Sequence, residues 1–173
     1  MTKFRKLAMV LVLIAITIFA VLTWYKLHYS MDIAKPFTVA VPQAKHKLLI
    51  ATQGSAYKNA VVKGVIEAAE ERQITVEVLD VSSLSTVNIE DWSAIVIIHT
   101  WENWQPQIDA AEFAQRYPNN NKVVFLTTSG QGDLNIQGVD AITSASMIED
   151  VPKHVADIVG RIDAVLVVSP SKL

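Results

Sequence analysis

The N-terminal part of the chain is dominated by one uninterrupted apolar run. Between Leu7 and Trp24, eighteen residues include only Thr17 and Thr23 as polar side chains. A helix rises about 1.5 Å per residue, so the run would extend about 27 Å, close to the thickness of the hydrocarbon core of a bilayer. The pattern therefore predicts a membrane-spanning helix.

The residues that flank this run favour an uncleaved anchor over a cleaved secretory signal. Lys3, Arg5 and Lys6 precede it, and Trp24 and Tyr25 stand at its far end, where amphipathic aromatic rings are common. No small-residue cleavage pattern follows, as a secretory signal would require. The positive-inside rule then predicts a single-pass membrane protein with its larger part on the extracytoplasmic side.

A change in pattern after the apolar run predicts a linker. Pro36 and Pro42 interrupt any long helix, and the short apolar run Phe37–Val41 can pair only as an edge strand. The predicted organisation is a cytoplasmic tip and anchor at 1–25, a linker at 26–45 and a folded domain at 46–173.

Beyond Lys45, short apolar runs alternate with segments whose apolar residues recur at helical spacing. This alternation predicts an α/β fold, a doubly wound parallel sheet of five strands in the order 2-1-3-4-5, with helices on both faces. The predicted strands are Lys47–Thr52, Thr75–Asp80, Ser93–His99, Lys122–Thr128 and Val139–Thr143, and the predicted helices are Ala60–Arg72, Pro106–Tyr117 and Ile148–Leu166.

Composition and charge exclude several classes of function. The chain has no cysteine, so a thiolate metal site, a thiol nucleophile and a redox dithiol are impossible. Through Lys45 there are six basic residues and one acidic residue, whereas the remainder has nine basic and sixteen acidic residues. An acidic domain repels the phosphate backbone, so nucleic-acid binding is not expected.

Ligands of doubly wound sheets bind beyond the carboxyl ends of the strands, beside the point where the strand order reverses. The loop after the first predicted strand reads Thr52-Gln53-Gly54-Ser55-Ala56-Tyr57 and leads into a helix. Glycine and hydroxyl groups at a helix N-terminus suit a bound phosphate. The same residue types also form simple turns that cap a helix, and both interpretations stay open.

Two further loops at the same edge carry candidate binding residues. Thr100 and Trp101 follow the third strand, and Trp104 comes three residues later. The indole of either tryptophan can cover a planar ligand or pack on the next helix, and two tryptophans so close together favour a ligand platform. His99 at this strand end is more often structural than a ligand-binding group. The fourth strand is followed by Ser129-Gly130-Gln131-Gly132-Asp133, a glycine-rich turn.

Together these three loops resemble those of the flavodoxin-like family. Thr52, Gly54 and Ser55 match part of its T/S-x-T-G-x-T phosphate loop, Trp101 matches a tryptophan that stacks on the flavin, and Gly130-Gln131-Gly132-Asp133 matches a G-x-G-D turn at the flavin edge. The resemblance implies the fold and FMN as cofactor. It implies as cofactor-binding residues Thr52, Gln53, Gly54, Ser55, Ala56, Tyr57, Thr100, Trp101, Ser129, Gly130, Gly132 and Asp133.

The leading hypothesis is a membrane-anchored flavodoxin-like protein that binds FMN and transfers electrons, with a redox protein or a quinone as partner. One alternative is a cofactor-free binding or assembly module, because Ala56 and Tyr57 stand where the family has a small hydroxyl residue. Another is a flavin-dependent quinone reductase. No catalytic residue and no metal site are predicted, since the four histidines are scattered along the chain.

Overall fold

The computed structural model describes residues 3–29 and 31–168. Residues 1, 2, 30 and 169–173, which the sequence assigns to parts of the anchor, the linker and the domain, lie outside the described residues. The chain divides into two compact units, of which the first ends at Met31 and the second begins at Asp32.

The first unit contains one long helix, α1 (Lys3–Tyr29). Its stretch Lys3–Trp24 has the length and composition of a membrane span and is unburied; it is the one such helix in the described residues. Thr17 donates its hydroxyl proton to the carbonyl oxygen of Leu13 at 2.9 Å, so this polar side chain is compatible with lipid. The predicted apolar helix is confirmed. A signal sequence meets the same criteria, so anchoring and orientation remain predictions.

The second unit is built on one mixed sheet. Its strands run in the order β2-β4-β3-β5-β7-β8, with β1 paired to β3 and β6 paired to β5; they are β1 (Asp32–Ile33), β2 (Phe37–Val39), β3 (His46–Gly54), β4 (Ile74–Asp80), β5 (Ala94–Glu102), β6 (Gln105–Pro106), β7 (Val123–Thr128) and β8 (Ala141–Ser144). The five strands β4-β3-β5-β7-β8 are parallel. The predicted sheet and its 2-1-3-4-5 order are therefore confirmed.

The three remaining strands are short and antiparallel. β2 pairs with β4 at the edge of the sheet, as the run Phe37–Val41 indicates. β1 pairs with the carboxyl end of β3, where Asp32 lies opposite Gly54. Both strands fall within residues 26–45, so part of the segment predicted as a linker belongs to the sheet.

Helices cover both faces of the sheet and create two apolar cores. The helices are α2 (Ala56–Glu71), α3 (Ile108–Arg116) and α4 (Val151–Val168). Leu48 and Ile50 of β3 join the core with α2 and α4, whereas Leu49 and Ala51 join the core with α3. The α3 layer is completed by short 3-10 helices at Val81–Thr86 and Ile89–Asp91. Because both faces are buried, the parallel strands read as nearly continuous apolar runs.

The contact between α2 and α4 depends on a missing side chain. A Cβ atom on Gly64 of α2 would lie 2.8 Å from Cγ2 of Val155 on α4, closer than packed carbon atoms approach. Gly160 of α4 is exposed and has no heavy atom within 4 Å of the same position. The two helical glycines therefore differ in exposure and in what a methyl group would meet.

We expect Gly160→Ala to raise the free energy of unfolding by about 0.5–1 kcal/mol, because alanine restricts the unfolded chain and favours the helix. Gly64→Ala gains the same helical preference but overpacks the α2–α4 contact, so we expect a net loss of about 1 kcal/mol. Urea-induced unfolding of the two variants measures the difference. The double variant Gly64→Ala, Val155→Ala should recover stability; equal stabilisation by both single changes would contradict this packing.

Candidate functional site

The carboxyl ends of the five parallel strands meet at one edge of the sheet. Thr52 of β3 lies opposite Ile98 of β5, and Thr100 of β5 lies opposite Thr128 of β7. The strand order reverses between β3 and β5, so this is the crevice where ligands of such sheets bind. All the residues predicted to hold a cofactor lie at this edge or in the loops that leave it.

The first loop is shorter than the sequence suggested. β3 continues through Gly54 and α2 begins at Ala56, so Ser55 alone joins them. Ser55 is extended and its side-chain oxygen accepts a hydrogen bond from the backbone N–H of Lys58 at 3.2 Å. This is the helix-capping interpretation of the loop: the Ser55 hydroxyl already serves α2.

Gly54 is required by a contact within the chain. A Cβ atom at this position would lie 2.7 Å from Cβ of Asp32 and 3.0 Å from its carbonyl oxygen. The close approach arises because β1 pairs with β3 at this residue. Replacement of Gly54 would therefore disturb the pairing of β1, whether or not a phosphate binds nearby.

Polar side chains bridge the crevice between β3 and β5. Oε1 of Gln53 accepts a hydrogen bond from the backbone N–H of Thr100 at 2.8 Å. Nζ of Lys58 donates to Oγ1 of Thr100, which lies 2.8 Å from Oγ1 of Thr128. We call these four residues, Gln53, Lys58, Thr100 and Thr128, the switch-point cluster.

Of the two residues of this cluster that the sequence analysis missed, Thr128 and Lys58, the buried cation is Lys58. Its side chain is 99% buried, and burial lowers the pKa of its ammonium to about 8, partly offset by the carboxylate of Glu102. Lys58 lies on the same helical stripe as the buried residues Val61 and Val65. This spacing could have identified Lys58 from the sequence, because a lysine on a buried apolar stripe needs a polar partner for its ammonium.

Tyr57, which the sequence analysis predicted as a cofactor-binding residue, is also buried. It is 3% exposed, and its hydroxyl oxygen lies 2.7 Å from Nδ1 of His154 on α4. Burial raises the pKa of Tyr57 and lowers that of His154. The pair links α2 to α4, whereas Ala56, one residue earlier, is exposed at the start of the helix.

His99 faces the α3 side of the sheet and is fully buried. Its Nε2 lies 3.0 Å from Oγ1 of Thr127, and its ring packs edge-on against Phe125. Burial lowers its pKa to about 4, so the imidazole is neutral at pH 7. These contacts agree with the structural interpretation of His99.

The two tryptophans near the end of β5 have different environments. Trp101 is half-buried, pairs with Pro106 across the β5–β6 hairpin and lines a cavity of about 950 Å³ beside α3. Its Nε1 is buried without a hydrogen-bond partner among the described residues. Because side chains alternate along a strand, Trp101 and the adjacent Thr100 point to opposite faces. Trp104, at the tip of the hairpin, is 88% exposed.

The loop after β7 folds around the side chain of its first residue, Ser129. Oγ of Ser129 accepts hydrogen bonds from the backbone N–H groups of Gly132, Asp133 and Leu134, at 2.9, 3.2 and 3.4 Å. Gly132 has a φ of 73°, and a Cβ atom on it would lie 2.6 Å from the backbone nitrogen of Ala145. Gly130 has no heavy atom within 4 Å of its Cβ position. The turn therefore directs its N–H groups inward.

The described residues contain no group of three or more metal-ligating side chains. The structure thus brings Gln53 and Thr100 together, adds Lys58 and Thr128 to them, and turns Tyr57 toward α4. It leaves Trp101 on the other face of β5. Which of the predicted residues contact a ligand stays a prediction.

Comparison with known proteins finds similarity in structure but not in sequence. No family model matches the chain, and no curated protein matches its sequence. A variant of a flavo di-iron protein from Thermotoga maritima is similar over 72% of this chain and 36% of its own, with a TM-score of 0.50 and 15% identity.

Two shorter proteins are matched over nearly their whole length. A flavodoxin from the domain Archaea covers 69% of this chain and 98% of its own, with a TM-score of 0.47 and 11% identity. An oxidoreductase from Corynebacterium diphtheriae covers 72% and 98%, with a TM-score of 0.44 and 13% identity. With the strand order described above, the likeness to the Thermotoga protein leads to one conclusion: the second unit of this chain has the flavodoxin-like fold.

Proposed function

We propose that this protein is a membrane-anchored binding module that keeps the flavodoxin-like sheet and does not hold FMN. The observation that carries the proposal is the switch-point cluster: at the place where a ligand would bind, side chains of the protein itself hydrogen-bond one another. A fold does not determine a function, so the site has to be judged by its own groups.

The phosphate of FMN would need free donors at the start of α2. The charge there has a suitable sign, since the Lys58 ammonium and a helix N-terminus both favour an anion. Part of this provision is used within the chain: the backbone N–H of Lys58 donates to Oγ of Ser55, and Cβ of Asp32 lies 2.7 Å from the position of a Cβ on Gly54. The loop therefore does not fit a phosphate in the manner that the sequence resemblance implies.

The polar edge of a flavin ring would need outward N–H groups in the loop after β7. Three of these groups point to Oγ of Ser129 instead. Trp101 is held in the β5–β6 hairpin and contributes to the α3 side, not to the side of the switch-point cluster. Both observations favour the cofactor-free module over an FMN-dependent electron carrier or quinone reductase.

Anchoring is part of the proposal. The apolar helix and the basic residues Lys3, Arg5 and Lys6 favour one membrane span, with the flavodoxin-like unit on the extracytoplasmic side. A freely exchanging FMN carrier would be unusual in that location, whereas a tethered binding module needs no supply of cofactor.

The full chain purified in detergent without added flavin should show no absorbance bands near about 370 and 450 nm, which any flavoprotein displays. Titration of FMN should leave flavin fluorescence unchanged up to about 100 μM, which corresponds to binding weaker than about −5.5 kcal/mol. Any bound flavin would contradict the proposal, and Trp101→Ala would then show whether the indole stacks on it. Trp92→Ala is the control, because Trp92 precedes β5 at the opposite edge of the sheet.

Lys58→Met tests the buried ammonium of the cluster. The folded pKa of about 8 lies below the ordinary 10.5, so between these pH values the unfolded chain binds more protons than the folded one. The free energy of unfolding of the wild type should therefore rise with pH relative to the variant, by up to about 3 kcal/mol between pH 8 and pH 10.5.

Urea-induced unfolding at pH 7.5, 9 and 10.5 measures this gap. Lys63→Met is the matched control, because Lys63 is exposed on the same helix, where it pairs with Glu67 at 3.7 Å. A gap between the wild type and Lys58→Met that stays constant with pH would show that the ammonium of Lys58 is not buried.

A further inference from the structure

Exposed apolar side chains collect at the carboxyl edge of the sheet. They come from β1, from the β5–β6 hairpin, from the first residue of α3 and from the segment between β8 and α4, which includes a 3-10 helix at Ile148–Asp150; all of these lie at or leave this edge. We call them the apolar rim; its members are Ile33, Trp104, Ile108, Met147 and Ile148. Single exposed apolar residues are ordinary, but several at one edge mark an interaction surface.

Trp104 is the most exposed member of the rim. Asn103 and Trp104 form the two-residue turn of the hairpin, with φ values of 51° and 65°. Such turns favour Asn followed by Gly, because both residues adopt the left-handed conformation. A tryptophan in the second position is held in an unfavourable backbone conformation with 88% of its surface in solvent, so the fold itself gives no reason for it.

The length of the chain limits how far this edge can be from a membrane. Asp32, the first residue of the flavodoxin-like unit, pairs with Gly54 at the carboxyl edge. Seven residues separate it from Trp24, the end of the apolar stretch. Even when fully extended, these residues reach only about 25–30 Å. The edge that carries the apolar rim is thus the tethered edge.

The charges of the edge indicate which lipid surface it suits. Five carboxylates lie within two residues of a rim member along the chain, namely Asp32, Glu102, Asp109, Glu149 and Asp150, against one basic side chain, Lys35. Carboxylates are repelled by anionic headgroups, so a zwitterionic surface is the better match. Tryptophan is well suited to such a surface, because its ring is apolar and its indole N–H stays hydrated.

We propose that the apolar rim lies on the lipid surface, with Trp104 inserted among zwitterionic headgroups, so that the carboxyl edge of the sheet faces the membrane. This inference rests on the anchoring part of the proposed function. A lipid surface is the occupant that the short tether favours, and a protein partner would have to displace it.

The absence of cysteine allows a clean test with single-cysteine variants of the full chain. Gln105→Cys places an environment-sensitive NBD label beside Trp104, and Asn121→Cys places it in the exposed α3–β7 loop at the opposite edge. In phosphatidylcholine nanodiscs, doxyl-labelled lipid should quench the label at 105 several-fold more than the label at 121. Addition of Trp104→Ser should lower quenching at 105 to the level at 121, and anionic lipid should also reduce it.

The outcomes separate this inference from the anchoring on which it rests. Quenching at 105 that survives Trp104→Ser would mean that the tether alone brings the edge near lipid, and would overturn the insertion of Trp104. A chain that resists alkaline extraction but shows no quenching at 105 would overturn docking and leave anchoring intact. A chain extracted by alkali would overturn both. Circular dichroism of each labelled variant confirms that its fold is unchanged.

Discussion

The arrangement of the carboxyl edge depends on the burial of one positive charge. The ammonium of Lys58 sits below the ends of the central strands, and a charge in such a place is stable only with polar partners. Thr100 receives its hydrogen bond, Thr128 extends the network to the next strand, and Gln53 holds the backbone of Thr100. These contacts lie at the place where doubly wound sheets usually bind a ligand.

Local patterns were sufficient to predict the five parallel strands of the sheet. Strands such as Ser93–His99 are buried on both faces and therefore read as apolar runs, and helices such as α4 show a clear stripe. The cap formed by Ser55 was also among the predicted interpretations, because an N-cap depends only on residues within one turn. These features follow from short stretches of sequence, and so does the strand order once the alternation is recognised.

The detailed geometry of the site depends on contacts that are distant in sequence. Gly54 is a glycine because Asp32 lies against it, and Gly132 because Ala145 does. Neither contact can be read from a short motif. In the sequence alone, Gly54 therefore fits a phosphate-binding loop and Gly132 fits a flavin-binding turn. Lys58 belongs to no loop motif, and its role follows from its position on the buried stripe of α2.

The closed switch-point cluster can be examined directly by amide hydrogen exchange of the full chain. If the closed form is the native one, the amides of Thr100, Gly132 and Asp133 are hydrogen-bonded to side chains, so each should exchange at least about 100-fold more slowly than in an unstructured chain. Millimolar FMN should leave these rates unchanged. Exchange of the same amides at unprotected rates, slowed when FMN is added, would contradict the closed edge and identify it as a cofactor site.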